Sequence, residues 1–351
     1  MKIIGIGDLL IPCSYIEEGF SVLKDHFEVV TKEWKLENYQ QLQSINLDVE
    51  QHGPEAYQAD EEMLKQIEDA DILITQFFTV TKAVIDRCRN LKAIGVLRGG
   101  VENVDVGYAT SKGIAVFHTP GRNADAVADF TVGMMISECR NIAKSHRELR
   151  NGNWVRDYAN KDYVPDLPGK TVGIIGYGNI GRKVAQRLKG FEMDIIAYDP
   201  FVRDPDVKTV SLKELMERSD FVCVNARLTE ETRHMINSET LSYMKKTAYL
   251  INTARSALVD EKALYETLKE GKIAGAAIDV FDEEPPAKDY PLLTLDNITV
   301  TPHLAGGSTD AFLKSPILLA REMKKAIVEG QKTPFLLNKE IRESNSLFKG
   351  E

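Results

Sequence analysis

Three stretches in the second half of the chain put acid–base and anion chemistry at the ends of apolar, strand-like runs. Asn252-Thr253-Ala254-Arg255 closes the run 249–252 and places a guanidinium there. Asp279 closes the run 273–280, and Glu284 lies five residues on, in Asp-Val-Phe-Asp-Glu-Glu-Pro. Thr301-Pro302-His303 follows the run 298–300, with Gly306-Gly307 beyond it. In open α/β sheets, ligands bind beyond the carboxyl ends of the strands, so the three are read together. Arg255 can clamp a carboxylate bidentately and polarise an adjacent carbonyl. His303 can give a proton to the carbonyl oxygen as hydride arrives on carbon, and take it back in reverse. Glu284 can hold the imidazole and raise its pKa, keeping imidazolium available near neutral pH. Chemistry alone leaves plainer roles open: a surface ion pair for Arg255, a structural histidine, and for Glu284 membership of an acidic loop with Asp282 and Glu283.

Residues 170–200 supply a place for the hydride donor. Residues 171–175 are a short β-rich run fit for a buried strand. Gly176, Gly178 and Gly181 follow in G-x-G-x-x-G spacing. Val184, Ala185 and Leu188 recur at helical spacing, residues 195–198 make the next strand, and Asp199 ends it, 18 residues after Gly181. A lone G-x-G-x-x-G says little. Here strand, turn, helix, second strand and acidic residue all fall where a dinucleotide fold needs them. Gly176 makes the tight turn, Gly178 lets the backbone approach a pyrophosphate, and Gly181 lets helix and strand pack closely. The helix N-terminus offers free N–H groups and a positive dipole end to the phosphates. Asp199 would accept hydrogen bonds from the ribose hydroxyls and repel a 2′-phosphate, which favours NAD over NADP.

The elements that position these groups follow from the alternation of strand and helix patterns. Strands are expected at residues 2–6, 27–32, 71–75, 91–97 and 115–118, and helices at 15–26, 61–70, 80–88 and 108–112. Gly5-Ile-Gly7 lacks a third glycine and reads as a strand end. Residues 36–60 are polar, hold Gly53-Pro54, and read as a long loop or irregular excursion. Thr119-Pro120-Gly121-Arg122 is a turn and hinge. Asn123 can cap a long helix, 124–150, apolar on much of its circumference through residues such as Val127, Val132 and Met135. Such a helix is deeply buried or part of a subunit interface. After Asp199 the alternation resumes, with strands at 221–225, 249–252, 273–280 and 298–300. A helix at 311–330 contains Pro316, and the polar tail beyond it is expected to be poorly ordered at its end.

A chain of 351 residues implies two domains. Hydrophobic content of 43% with 28% charged residues is that of a soluble globular protein, and a net charge of −9 argues against nucleic acid as the main partner. The four cysteines show no C-x-x-C spacing and fit a reducing compartment. The N-terminal apolar run is too short for a signal peptide, and no run approaches the length of a membrane span. The expected address is the cytoplasm. His26, His52, His146 and His234 lack clustered partners, so no metal site is expected.

Gly-Tyr-Gly-Asn-Ile-Gly, Leu-Ile-Asn-Thr-Ala-Arg255, Gly-Ala-Ala-Ile-Asp279-Val-Phe-Asp-Glu-Glu284-Pro and Thr-Pro-His303, in this order and spacing, resemble the D-isomer-specific 2-hydroxyacid dehydrogenase family over nearly the whole chain. The resemblance implies that His303 transfers the proton, Arg255 binds substrate and Glu284 orients the histidine. It implies cofactor contacts from Gly176, Gly178, Asn179, Ile180, Gly181, Asp199, Asn225, Thr253, Ala254, Asp279 and Gly306, with NAD as the cofactor. It implies substrate contacts from Arg98, Gly99 and Gly100, although Arg98 stands where many relatives have glycine. The fold class implied is α/β, with two Rossmann-like parallel-sheet domains, one flavodoxin-like and one dinucleotide-binding, and a cleft between them. The substrate-binding domain would be discontinuous, residues 1–118 and 308–351, with the NAD-binding domain, residues 119–307, inserted into it.

The expected activity is NAD-dependent interconversion of a short D-2-hydroxy acid and its 2-oxo acid, with glyoxylate- or hydroxypyruvate-like substrates. The expected assembly is a homodimer through the helix 124–150 region. Two other readings stay open. One is a phosphoglycerate-type dehydrogenase without a regulatory domain, against which stands the lack of arginine near Thr75. The other is an NAD-sensing corepressor-like binding protein.

Overall fold

The computed structural model describes residues 1–202 and 204–348. The chain divides into two compact units: Met1–Arg122 together with the chain from Ser308 on, and Asn123–Gly307. Each is a parallel sheet with helices on both faces.

The first unit is built on β1 (Lys2–Gly7), β2 (Glu28–Glu33), β3 (Ile72–Thr75), β4 (Ala93–Val96) and β5 (Ala115–Phe117), in the order β2-β1-β3-β4-β5. β3, β4 and β5 are buried at every residue, which is why they read as continuous apolar runs rather than alternating ones. The order 2-1-3-4-5 is the flavodoxin-like one. Helices α1 (Cys13–Gly19), α2 (Tyr39–His52), α3 (Glu61–Ile67), α4 (Lys82–Arg87) and α5 (Val106–Ser111) connect the strands. Alternate strand residues feed opposite cores: Ile4, Leu73, Ile94 and Val116 on one face, Ile3, Ile72, Ile74, Ala93 and Ala115 on the other.

α2 corrects the expectation of an irregular excursion at 36–60. Asn38 caps it, its side chain accepting the Gln41 N–H at 2.9 Å, and Gly53 ends it at φ +82°. Its buried residues, Leu42 and Val49, lie on one face two turns apart in a mostly polar helix.

The second unit begins with what was expected as one helix, 124–150. The structure breaks it in two, α6 (Ala124–Cys139) and α7 (Ile142–Arg150), at Asn141, which adopts the left-handed conformation with φ 55°. Asparagine tolerates that conformation better than most residues. Its sheet comprises β6 (Thr171–Ile175), β7 (Asp194–Tyr198), β8 (Lys208–Thr209), β9 (Phe221–Val224), β10 (Tyr249–Asn252), β11 (Gly275–Ile278) and β12 (Ile298–Val300). The order is β12-β11-β10-β9-β6-β7-β8, all parallel, which is the dinucleotide-binding order with its switch point between β6 and β9. Helices α8 (Asn179–Lys189), α9 (Leu212–Arg218), α10 (Ser238–Ser242) and α11 (Glu261–Lys269) complete the layers.

α6 is buried inside this unit and tied to α8 by Asp125 with Lys183 at 2.7 Å, and by Asp129 with Arg187. At its far end the buried Glu138 meets the Lys144 ammonium at 2.7 Å and the Thr299 hydroxyl at 2.6 Å. A charge so buried requires such partners. Its burial pushes the carboxyl up, against the pull of Lys144.

The chain returns to the first unit as α12 (Thr309–Met323), which runs through Pro316 and packs Leu319, Ala320 and Met323 into one of its cores. The described part of the tail is held against this unit. The Leu337 N–H bonds to Val116 O at 2.8 Å and the His118 N–H to Phe335 O at 3.0 Å, while Leu336, Ile341 and Leu347 are buried. The end of the expected disordered tail, 349–351, lies outside the described residues.

Candidate active site

In the second unit, β6, β9, β10, β11 and β12 are consecutive neighbours, and their carboxyl ends carry Gly176, Asn225, Arg255, Asp279 and His303. One edge of one sheet thus gathers residues separated by up to 127 positions in sequence.

The glycine turn has the form a dinucleotide needs. Gly176 sits at φ +88°, and a Cβ there would meet the backbone of Ala226 at 2.5 Å. A Cβ on Gly181 would meet the Gly176 carbonyl oxygen at 2.2 Å, so α8 can approach β6 only because glycine stands there. Gly178 caps α8, and a Cβ on it would meet nothing within 4 Å. The open side of Gly178, the free N–H groups of Asn179 and Ile180 in the first turn of α8, and the positive helix end fit a pyrophosphate. Asn225 adds a second sign of an unfilled polar site: both its amide atoms are buried without a hydrogen-bond partner. Asp199 accepts the Tyr177 N–H at 2.8 Å through one oxygen and the Phe201 and Val202 N–H groups through the other. It braces the turn from the next strand.

The expected histidine and carboxylate are in contact. His303 Nδ1 and Glu284 Oε2 lie 2.8 Å apart. Burial acts to raise the proton affinity of Glu284. The hydrogen bond and charge of His303, the Phe281 N–H and the charge of Arg255 outweigh it and hold the carboxyl below its ordinary value. The Arg255 guanidinium is exposed, with one bond to its neighbour's carbonyl, Ala254 O, at 2.8 Å.

Asp279 organises the strand end next to His303. It is fully buried, and its carboxylate accepts the Thr301 hydroxyl at 2.5 Å and the Leu304 and Ala305 N–H groups at 2.9 and 2.8 Å. The His303 N–H bonds to Asp279 O at 2.8 Å, and His303 itself is held at φ 53°. Asp279 therefore shapes the turn that aims His303. Asn252 does the same for Arg255: its Oδ1 accepts the Ala254 N–H and its Nδ2 donates to Arg255 O at 3.0 Å. The signal for Asn252 was present in Asn-Thr-Ala, since asparagine folds its side chain back on backbone two residues on. Thr253 is nearly buried and bonds to the Thr131 hydroxyl at 2.7 Å, and Gly306 leaves room for the Asn123 amide, which a Cβ would meet at 2.6 Å.

In the first unit, Arg98 is committed elsewhere. Its terminal nitrogens bond to Asn46 at 2.7 Å and Glu50 at 2.5 Å, with Glu102 at 3.3 Å, and its guanidinium lies over Phe77. Those partners turn its side chain toward α2, which leaves backbone N–H groups of this loop as the contact the resemblance implies for a substrate carboxylate. Gly99 is exposed, and its carbonyl lies 2.8 Å from His118 Nδ1. A Cβ on Gly100 would meet the end of the Glu102 side chain at 2.2 Å, which would have to swing aside.

A seven-stranded dinucleotide sheet with a histidine–carboxylate pair and an arginine on one strand-end edge defines the class: a nicotinamide-dependent oxidoreductase. The comparisons narrow it. A sequence model of the D-isomer specific 2-hydroxyacid dehydrogenase NAD binding domain matches residues 132–305. The chain is 42% identical to a glyoxylate reductase of Thermofilum pendens over 82% of its own length and 87% of that protein's. It is 43% identical to a D-3-phosphoglycerate dehydrogenase of Methanocaldococcus jannaschii over 79% of its length, but spans only 53% of that relative. The solved D-isomer specific 2-hydroxyacid dehydrogenase of Lactobacillus delbrueckii ssp. bulgaricus, in its NAD complexed form, matches with a TM-score of 0.76, over 96% of this chain and 100% of that one. At 22% identity it speaks for the fold alone. The chain belongs to the D-isomer specific 2-hydroxyacid dehydrogenase family, and is an NAD-dependent oxidoreductase.

Proposed function

We propose that the protein reduces a short 2-oxo acid of the glyoxylate or hydroxypyruvate kind to its D-2-hydroxy acid, and catalyses the reverse. The observation that carries this is the 2.8 Å His303–Glu284 pair, with the charge of Arg255 acting on the same carboxylate. NAD, when bound, supplies or accepts the hydride. Arg255 pairs with the substrate carboxylate and orients the carbonyl beside it. Glu284 holds Nδ1 of His303, so the proton moves between Nε2 and the substrate oxygen. The negative Glu284 favours the imidazolium needed for reduction.

The test is turnover with NADH and NADPH on glyoxylate, hydroxypyruvate, larger 2-oxo acids and phosphohydroxypyruvate. Fast NADH oxidation with a short unphosphorylated acid is expected. A clear preference for phosphohydroxypyruvate would move the assignment to the phosphoglycerate-type reading, and no turnover at all would end the enzyme reading.

The homodimer belongs to the same proposal, with its place adjusted. α6 is packed within its own unit, whereas α7 and the segment after it expose Ile142, Leu149, Trp154, Val155 and Val164. That exposed apolar surface is the support for a self-association site. Light scattering on Leu149→Glu and Trp154→Glu is expected to show monomer where the parent is dimer. A cytoplasmic address is proposed from the free cysteines: Cys88, Cys139 and Cys223 are buried, and burial pushes their thiols up to about 12. No described helix is long and apolar enough to cross a membrane.

A further inference from the structure

The loop that carries Glu284 is held by a second carboxylate. Glu261, the first residue of α11, accepts the Asp282 N–H at 2.9 Å through Oε1, and its Oε2 accepts the Tyr290 hydroxyl. One residue earlier, the Phe281 N–H goes to Glu284 Oε1 at 3.0 Å, which leaves Glu284 Oε2 for His303 Nδ1. Two consecutive amides of one loop are thus fixed by two carboxylates, one from a helix and one from the catalytic pair. The Tyr290 ring packs edge-on against Phe281, centroids 5.9 Å apart at 88°, and fixes the loop from the side. The direction of the Phe281 amide decides which way Glu284 turns, and that amide adjoins the one Glu261 holds.

We propose that Glu261 and Tyr290 are positioning residues for the Glu284–His303 pair, fixing the 281–282 backbone so that Glu284 keeps one oxygen on His303. The proposal rests on the dehydrogenase reading given above. Burial pushes the Glu261 carboxyl up, and the charges of Asp282 and Glu284 push the same way against the Tyr290 bond. A carboxylate placed against that cost must make hydrogen bonds that matter. Among the described residues, the Arg255 charge also acts on Glu284, and the Asp279 carboxylate is engaged by the turn that carries His303.

The test uses the full chain with Glu261→Ala, Glu261→Gln and Tyr290→Phe. It follows the pH profile of 2-oxo acid reduction and, independently of activity, the NMR titration of the His303 imidazole. Reduction requires imidazolium, so its rate falls as pH rises through the imidazole midpoint. With Glu284 loosened, that midpoint is expected to move down by roughly one unit in Glu261→Ala. The same variant should lose about tenfold in kcat, with KM for NADH within about twofold of the parent. Glu261→Gln keeps an oxygen for the Asp282 N–H and should recover most of the shift, while Tyr290→Phe should show a smaller shift in the same direction. An unmoved midpoint in Glu261→Ala, or a Glu261→Gln as impaired as Glu261→Ala, overturns the positioning role. If the parent reduces no 2-oxo acid, the functional reading fails, and the imidazole titration still decides whether Glu261 and Tyr290 position the pair.

Discussion

Glu284 divides its two oxygens between a backbone amide and His303, so replacing either member of the pair should act on catalysis rather than on cofactor binding. His303→Asn keeps a polar group of similar reach but cannot deliver a proton near neutral pH. Its kcat for oxo-acid reduction is expected to fall by about 10²–10⁴-fold, with the NADH dissociation constant unchanged by fluorescence titration. Near-parental turnover would remove His303 from proton transfer. Arg255→Gln removes the charge and the fork that matches a carboxylate, and among the described residues its guanidinium has one hydrogen bond to lose, to Ala254 O. KM for the oxo acid should rise and kcat fall together, since the same contact binds the acid and orients its carbonyl. A loss confined to KM would mean a purely anchoring role.

The meeting of Glu284 with His303, and the charge of Arg255 near them, was legible in the sequence because all three follow strand ends. Asn252, Glu261 and Tyr290 were not singled out, because their roles depend on which backbone amide or side chain each reaches. The side-chain partners of Arg98 were hidden for a related reason: Glu50 lies on α2, a helix the polar composition concealed.

Among the elements, the glycine turn gives the sharpest contrast, since two glycines three residues apart fail differently. A Cβ on Gly178 has open space, so Gly178→Ala should fold with a melting temperature close to the parent's. It would stand where a pyrophosphate approaches, and the NADH dissociation constant should rise at least about tenfold, a loss of ~1.4 kcal/mol. A Cβ on Gly181 collides with the Gly176 carbonyl, so Gly181→Ala must push α8 off β6, at a cost of ~1–3 kcal/mol. Calorimetry and NADH titration on the two variants separate the effects, and equal melting temperatures would count against the packing role of Gly181. This turn was readable because its requirements are local. The breaks in periodic stretches were less so. The stretch 124–150 has no proline or glycine pair to mark a break at Asn141, and the left-handed backbone there separates the buried α6 from the mostly polar α7. In α2, Leu42 and Val49 carried the right spacing, but two buried residues in fourteen are easily read as loop.

At the scale of the whole molecule, the two-unit organisation was legible from length and alternation, while the pH response of its stability was not, because it depends on burial. Asp8, at the carboxyl end of β1, is 6% exposed. Burial raises its carboxyl to about 6, against the Ile11 and Leu10 N–H groups and the charge of Arg122. One of its oxygens has no hydrogen-bond partner. An acid whose folded pKa exceeds its unfolded value favours the folded state most when protonated. Its cost is therefore absent below about pH 4, grows as pH rises, and is complete above about pH 6. A shift of about two units corresponds to at most ~3 kcal/mol. Asp8→Asn keeps an oxygen for the two N–H groups and removes the charge. Its melting temperature should exceed the parent's by a few degrees at pH 7–8, and the gap should close as pH falls from 6 toward 4. Loss of the attraction to Arg122 works against the gain, so its size is less informative than its slope with pH. Glu284, held below its ordinary value, loses its contribution as pH falls, but it does so in parent and variant alike and drops out of the difference. Two units need not unfold together, so the comparison should follow the transition of the unit that contains Asp8. A difference that stays constant from pH 8 to 4.5 would show that Asp8 is ionised in the fold without cost, and would refute burial as the cause.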